Sequence, residues 1–406
     1  ASTMRTLLAL ILLTSTSGAW SLCKLNLQSP YPIVGKVFGS KTAILKRPLS
    51  EIELAYNETA TFYCPLGLKI GGSNSGYGNQ KTTKVNFQTA ELTCGDDGVY
   101  LDQQRIIEQT TSGYISCNAD SGSTLYESNV SLVGCDADEA MTLVIGNKLR
   151  LSEIKLLALC YDLSASRLHF VKFLAYPAKN LLLGATTADQ VLGELQLSNV
   201  ISGLDKYFSY VTKGQFESLR ERQPHLGELY EAQLFDFDSL LQDQQQMKQL
   251  EKHKHLLNIV WLRALRRGNW KHWLEALREL NNESDDRFDV RIGVSGLATL
   301  PLAQRCNASR SLQLIDSDSG NTLHVPAYVW AHVLSLEPTG SASDEFVLVA
   351  HNSPFVNVVE MSSFCDDMCS EIPWLSKSLF GELHLVPKFG VVHCCRVDQV
   401  DKLTDF

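Results

Sequence analysis

Eleven cysteines constrain this chain more than any other feature. They stand at Cys23, Cys64, Cys94, Cys117, Cys135, Cys160, Cys306, Cys365, Cys369, Cys394 and Cys395. None form the CxxC pairs of a zinc site, so scattered thiols in these numbers point to disulfides. The count is odd, which leaves at least one thiol free or paired outside the chain. Disulfides need an oxidising compartment, and the first residues supply a route to one. Met4-Arg5 is followed by the apolar run Thr6 to Leu13 and then by small residues up to Gly18-Ala19. That is a charged, an apolar and a cleavage region in order, so residues 1–19 read as a signal peptide. The run falls short of the roughly 20 apolar residues that a membrane span needs, and no later segment is longer. A secreted, extracellular chain is expected. Asn57, Asn129, Asn282 and Asn307 each open a glycosylation sequon, which places surface loops at those points.

Length suggests more than one domain. Residues 20–165 read as a cysteine-rich β domain. Glu51–Tyr56, Thr59–Cys64, Thr83–Ala90 and Arg150–Leu156 mostly alternate apolar with polar residues. Gly71 to Gly76 and Gly95 to Gly98 give turns between them. The glycine cluster at 71–78 lacks a following Lys-Ser/Thr and opens no helix, so it is a surface loop and not a phosphate cradle. From 166 to 406 the texture is mixed. Leu192 to Tyr210 looks partly helical, and Phe235 to Leu280 carries the longest helical pattern, broken at Gly268-Asn269. Strands return at Asp289–Val294, Leu312–Ile315, Leu323–Val325, Tyr328–Leu334 and Phe346–His351. The fold class expected is α+β.

The net charge of −9 argues against a protein that coats nucleic acid over its whole surface. One stretch runs against that charge. Lys248, Lys252, Lys254, Arg263, Arg266, Arg267, Lys271 and Arg278, with His253, His255 and His272, face only Glu251 and Glu275. Phosphate contact is the functional reading and a solvated helix face the structural one. Within the stretch, Asn258 interrupts an apolar run. A buried amide without partners costs about 1–3 kcal/mol, so Asn258 is either hydrogen-bonded in the core or bound to something. His253 and His255 are two apart and do not face one another on a helix, which disfavours a metal pair. Trp270 and Trp273 share a helical face and read as core. Asp236 and Asp238 would share a side only in a strand. No Gly-x-Ser-x-Gly elbow is present.

Several segments resemble one family in order and spacing. These are Gly293 to Pro301, Val325 to Trp330, Phe346 to Pro354, Cys365-Asp-Asp-Met-Cys369 with Ile372 to Leu375, and His393 to Asp398. They are similar to the DNA/RNA non-specific endonucleases, and most of all to the secreted arthropod branch that includes the duplex-specific nucleases of crabs and shrimps. Thr61 to Pro65, Ala90 to Cys94 and Ala158 to Asp162 resemble that branch's cysteine-rich amino-terminal domain. The resemblance implies a disulfide-stapled, mainly-β first domain followed by a ββα-metal (His-Me finger) nuclease-like domain. It implies a histidine base in an Arg-Gly-His motif and an asparagine that holds one Mg²⁺, a cation that neutralises phosphate charge. Asn258 falls at that asparagine, Gly268-Asn269-Trp270 at the next motif, and Glu275 near the following glutamate, with Arg278 as a further remnant. The Arg-Gly-His is missing: at the family's spacing the chain reads Phe235-Asp236-Phe237-Asp238. His225 is too far upstream, and His253 and His255 are too near. The expectation is therefore a catalytically impaired nuclease-family protein, with Arg263, Arg266, Arg267 and Lys271 contacting DNA or RNA and Asn258 as metal ligand. The alternatives are an active Mg²⁺ enzyme with its base relocated to His225, Asp236 or Asp238, and an exported interaction protein that does not bind nucleic acid.

Overall fold

The computed structural model describes residues 22–400 apart from loop segments, the longer being 46–49, 73–80, 109–112, 136–139, 149–152, 176–180, 184–191, 203–215, 219–233, 243–246, 302–308, 316–321 and 356–364. The signal-peptide residues, His225, Lys248, Glu251, Cys306 and Asn307 lie outside the described residues. The described chain is mostly strand with few helices, and it holds five disulfides. Among the described residues no helix is long and apolar enough to cross a membrane. Contacts divide the chain into two compact units: Ala1–Lys36 with Arg47–Asp120, and Val37–Lys46 with Ser121–Phe406.

The first unit is built from β1 (Cys23–Leu27), β2 (Ile33–Phe38), then, past β3 (Lys41–Leu45) of the other unit, β4 (Glu51–Leu54), β5 (Thr59–Tyr63), β6 (Leu68–Gly72), β7 (Lys81–Val85), β8 (Thr89–Cys94), β9 (Gly98–Leu101), β10 (Gln104–Glu108) and β11 (Gly113–Cys117). One sheet runs β4-β1-β11-β6-β7 and the other β10-β9-β8-β5-β2. β4 and β8 alternate buried with solvent-facing residues, the period of a half-buried strand. Leu25, Leu54, Phe62, Leu68, Leu92 and Ile115 are all fully buried. Cys23–Cys94 fastens β1 of one sheet to β8 of the other, and Cys64–Cys117 adds a second tie. Each such cross-link is worth about 2–4 kcal/mol through the unfolded state.

The second unit centres on a nine-stranded antiparallel sheet. Its strands are β12 (Thr124–Glu127), β13 (Ala140–Lys148), β14 (Glu153–Asp162), β15 (Arg167–Ala175), β17 (Asn199–Val200), β20 (Phe288–Leu297), β25 (Pro326–Ser335), β26 (Glu345–His351) and β27 (Val392–Cys395). Their order is β17-β12-β13-β14-β15-β20-β25-β26-β27. Small pairs accompany it: β3 with β16 (Leu181–Leu183), β18 (Phe235–Ser239) with β19 (Asn258–Leu262), β21 (Thr299–Pro301) with β22 (Ser309–Ser311), and β23 (Gln313–Ile315) with β24 (Thr322–His324). Among the described helices are α1 (Arg263–Arg267), α2 (Asn269–Glu283), α3 (Pro373–Ser376) and α4 (Leu379–Leu383). One core cluster joins Leu159, Val290, Val333 and Leu348 of the sheet to Trp261, Trp270, Trp273 and Phe380. A second holds Phe170, Trp330, Val349 and the Cys135–Cys160 disulfide. Neighbouring residues of a strand point to opposite faces, so adjacent Cys394 and Cys395 serve both: Cys394 bonds Cys369 and Cys395 bonds Cys365.

Two expectations are corrected. The boundary drawn between 165 and 166 falls in the turn from β14 to β15, which pair within one sheet; the units divide near Asp120 instead. The helical pattern from Phe235 begins as a two-stranded ribbon, because Phe235, Phe237 and Ser239 face inward and Asp236 and Asp238 outward, a period of two. Of the stretch from Leu192 to Tyr210, residues 192–202 turn and enter β17, and the remainder lies outside the described residues. The break at Gly268 is present. A side chain there would meet the carbonyls of Phe389 and Ala264 at 2.3 and 2.6 Å, so only glycine lets the chain turn from α1 into α2.

Candidate nucleic-acid interface

The ribbon and the helices after it bring most of the singled-out residues together. In β18–β19, Asp236 lies opposite Trp261 and Ser239 opposite Asn258. The chain leaves β19 directly into α1, where Arg263, Arg266 and Arg267 are spaced to share one helical side. That side turns toward the outward carboxylates of β18. The Arg263 Nη2 and Nε lie 2.7 and 2.8 Å from Asp236 Oδ1. The Arg266 Nη2 lies 2.5 Å from Asp238 Oδ2, and its Nη1 3.6 Å from Asp236. The Arg267 Nε is 3.2 Å from Asp236 Oδ2, a contact too bent to count as a hydrogen bond. Asp236 is 12% exposed, Arg263 26% and Arg266 21%, so this is a half-buried cluster of three cations on two anions. Arg267, at 63%, reaches solvent. Truncating one partner of a well-buried pair costs about 3–5 kcal/mol, and the partial exposure here places the cost toward the lower end.

The remaining candidates spread along α2. Lys271 is exposed and 3.5 Å from Glu275 one turn on, a surface pair worth a few tenths of a kcal/mol. Arg278 is exposed on the same helix. His272 is half-buried beside the Phe389 ring at 6.1 Å, and burial pushes its pKa down. His253 places Nε2 3.1 Å from the Ser123 carbonyl, which gives it a structural partner. Trp270 and Trp273 are fully buried and pack edge to face at 5.5 Å, as a core pair does.

Asn258 is not the buried amide of the region. It is half-buried and opens a strand, not a helix. Two other asparagines do the buried work, and the sequence reading missed both roles. Asn352 is wholly buried. Its Oδ1 accepts from the Leu262 amide at 2.6 Å, and its Nδ2 donates to the Val260 and Pro326 carbonyls at 2.8 and 2.9 Å. It bonds β19 as a neighbouring strand would, and so fixes the ribbon against the end of β25. Asn269 is also wholly buried and donates to the carbonyls of Leu383 and Gly390, holding the carboxy-terminal segment on the start of α2. Its Oδ1 is buried without a hydrogen-bond partner. An asparagine immediately after the helix-breaking glycine was the available signal.

The Mg²⁺ expectation can be tested on these donors. Mg²⁺ takes oxygens in octahedral geometry and favours one or two carboxylates. Asn258 offers one neutral oxygen, and the outward carboxylates of the ribbon already hold guanidinium groups. A dication there would have to displace two or three cations. Among the described residues one close group of three metal-type ligands occurs, Asp367, Cys369 and Cys394, and its sulfurs are joined to each other. The residues at Asn258 do not fit a dedicated Mg²⁺ site, and no hydrolytic step is derived through one.

No protein-family model matches the chain, and no curated protein matches it. Among solved structures it is similar to one described as the crystal structure of the EndoG/EndoGI complex and the mechanism of EndoG inhibition. The identity is 14%, the match covers 51% of this chain and 74% of the other, and the TM-score is 0.26. Likeness at that level assigns neither a fold nor an activity.

Proposed function

We propose that this chain is an exported, disulfide-stapled, nuclease-like protein that contacts nucleic acid through the α1–α2 region and hydrolyses it poorly or not at all. The observation that carries the reading is the strand β18 itself. An antiparallel ribbon leading into helices is the element order of a ββα site, and the strand that would present a base presents Asp236 and Asp238 on its outward side. Loss of a general base typically removes 10²–10⁴-fold in rate. What stays is the chemistry of phosphate contact: arginines whose planar forks match anionic oxygens, with Arg267 and Lys271 reaching solvent. Extracellular localisation is supported by the five disulfides.

The test is fluorescence anisotropy of a labelled oligonucleotide across a salt series. The expected result is micromolar-range, sequence-independent binding that weakens steeply with salt and falls severalfold in Arg267→Ala/Lys271→Ala. Salt-independent binding, or none, overturns the reading. A second reading, an exported protein-binding module, is favoured by Leu66 and Phe87 of the first unit. They are 58% and 57% exposed on neighbouring loops joined by the Leu68 amide to the Phe87 carbonyl. That module would show no nucleic-acid affinity.

A further inference from the structure

The arginine cluster is engaged from within the chain. Asp236 and Asp238 are two residues apart on one side of a strand, about 6.6 Å along its axis. That is roughly the spacing of successive phosphates on an extended nucleic-acid strand. Each carboxylate receives a guanidinium: Asp236 takes Arg263 at 2.7 Å and Arg267 at 3.2 Å, and Asp238 takes Arg266 at 2.5 Å. Carboxylate and phosphate oxygens are recognised by the same arginine fork. The satisfaction is incomplete. Three cations share two anions, the Arg267 contact lacks hydrogen-bond geometry, and the Arg266 Nε is buried with no hydrogen bond.

We infer that Asp236 and Asp238 stand in for two successive backbone phosphates, so that Arg263, Arg266 and Arg267 form a two-phosphate site closed at rest and opened by a single-stranded nucleic acid. The inference rests on the nucleic-acid reading above and names the ligand and control of the same site. The ligand must bring two phosphates at strand spacing, because one phosphate replaces one carboxylate and leaves the other in place. A duplex holds its phosphates on a stiff, curved track and cannot lie along the straight strand.

The experiment compares wild type with Asp236→Asn/Asp238→Asn by anisotropy on a labelled oligodeoxynucleotide, single-stranded and as duplex. Glu337→Gln/Glu345→Gln removes two charges elsewhere, from carboxylates paired with Arg287 and His332, and serves as control. Thermal melts check folding, and Asp238→Asn alone, at a side chain 48% exposed, is the fallback. The Asp variant is expected to bind single strands at least tenfold more tightly than the control. Its log–log salt slope should be steeper by about 1.4, two phosphates at about 0.7 each. Binding by wild type with no gain over the control overturns the inference and leaves the nucleic-acid reading standing. An equal gain on duplex overturns the single-strand assignment. Absence of binding in every variant overturns both.

Discussion

Asn352→Ala should unfasten the ribbon from the sheet, and its cost can be worked from three contacts. The side chain satisfies the Leu262 amide and the Val260 and Pro326 carbonyls in a wholly buried place. An orphaned buried donor or acceptor costs about 1–3 kcal/mol. The amide has one hydrogen to place, so it is charged near the middle, about 2. Each carbonyl keeps a second lone pair and is charged near 1. The sum is about 4 kcal/mol, or nearly three decades in the folding equilibrium. Urea unfolding followed by tryptophan fluorescence reads it. Five of the six tryptophans, Trp261, Trp270, Trp273, Trp330 and Trp374, belong to the second unit, so the signal reports that unit. With a slope of about 3 kcal/mol per molar, the midpoint should fall by more than about 1 M. Asn352→Asp keeps the acceptor but loses both donors at neutral pH, and should be at least as unstable there and partly recover in acid. A loss below about 1 kcal/mol for Asn352→Ala would refute the bolt. So would an Asp variant as stable as wild type.

Acid should weaken the edge of the sheet. His351 is buried against the His393 ring at 5.7 Å, and burial and then His393 push its pKa down to about 4 from an ordinary 6.5. A base with a lowered folded pKa contributes stability that is whole above about 6.5 and lost as pH falls toward 4; the ceiling is about 3 kcal/mol, and His351→Phe should flatten thermal melts across that window. His384 works in the opposite sense. Its ring nitrogens face the Gly381 carbonyl and the Asp367 carboxylate, both at 2.9 Å, and against the effect of burial the Asp367 bond raises its pKa. Its contribution is present below about 6.5 and fades as pH climbs through the raised value, so His384→Ala should cost most in mild acid and least at alkaline pH.

Much of the fold was legible in the sequence because it rests on short-range periodicity. The alternation in Glu51–Leu54 and Thr59–Tyr63 is that of the observed β4 and β5, and the return to strands after residue 288 is seen as β20, β25 and β26. The vicinal Cys394-Cys395 could be read as bridging but not as serving two faces, since that needs the strand and its two cores. The misread helix has a local cause. The Gln, Lys and Glu of 242–252 favour a helix, and their weight hid the five-residue alternation of Phe235 to Ser239, whose strand state depends on pairing with residues 19 to 27 positions away. The site was less legible for the same reason. Charge counting finds Arg263, Arg266 and Arg267 but not their capture by Asp236 and Asp238, which needs the ribbon's register. Of three asparagines, the sequence pointed to Asn258 inside its apolar run, whereas Asn269 and Asn352 do the buried work through partners 26 to 121 residues away.

The most direct test of the central claim is a cleavage assay. Purified protein at high concentration is incubated with plasmid DNA and with RNA, with and without Mg²⁺, beside Asn258→Ala. The expected result is binding without Mg²⁺-dependent cleavage, the same for both proteins. Mg²⁺-dependent cleavage by the wild type that vanishes in Asn258→Ala would contradict it, and would mean that the ribbon holds a working metal site after all.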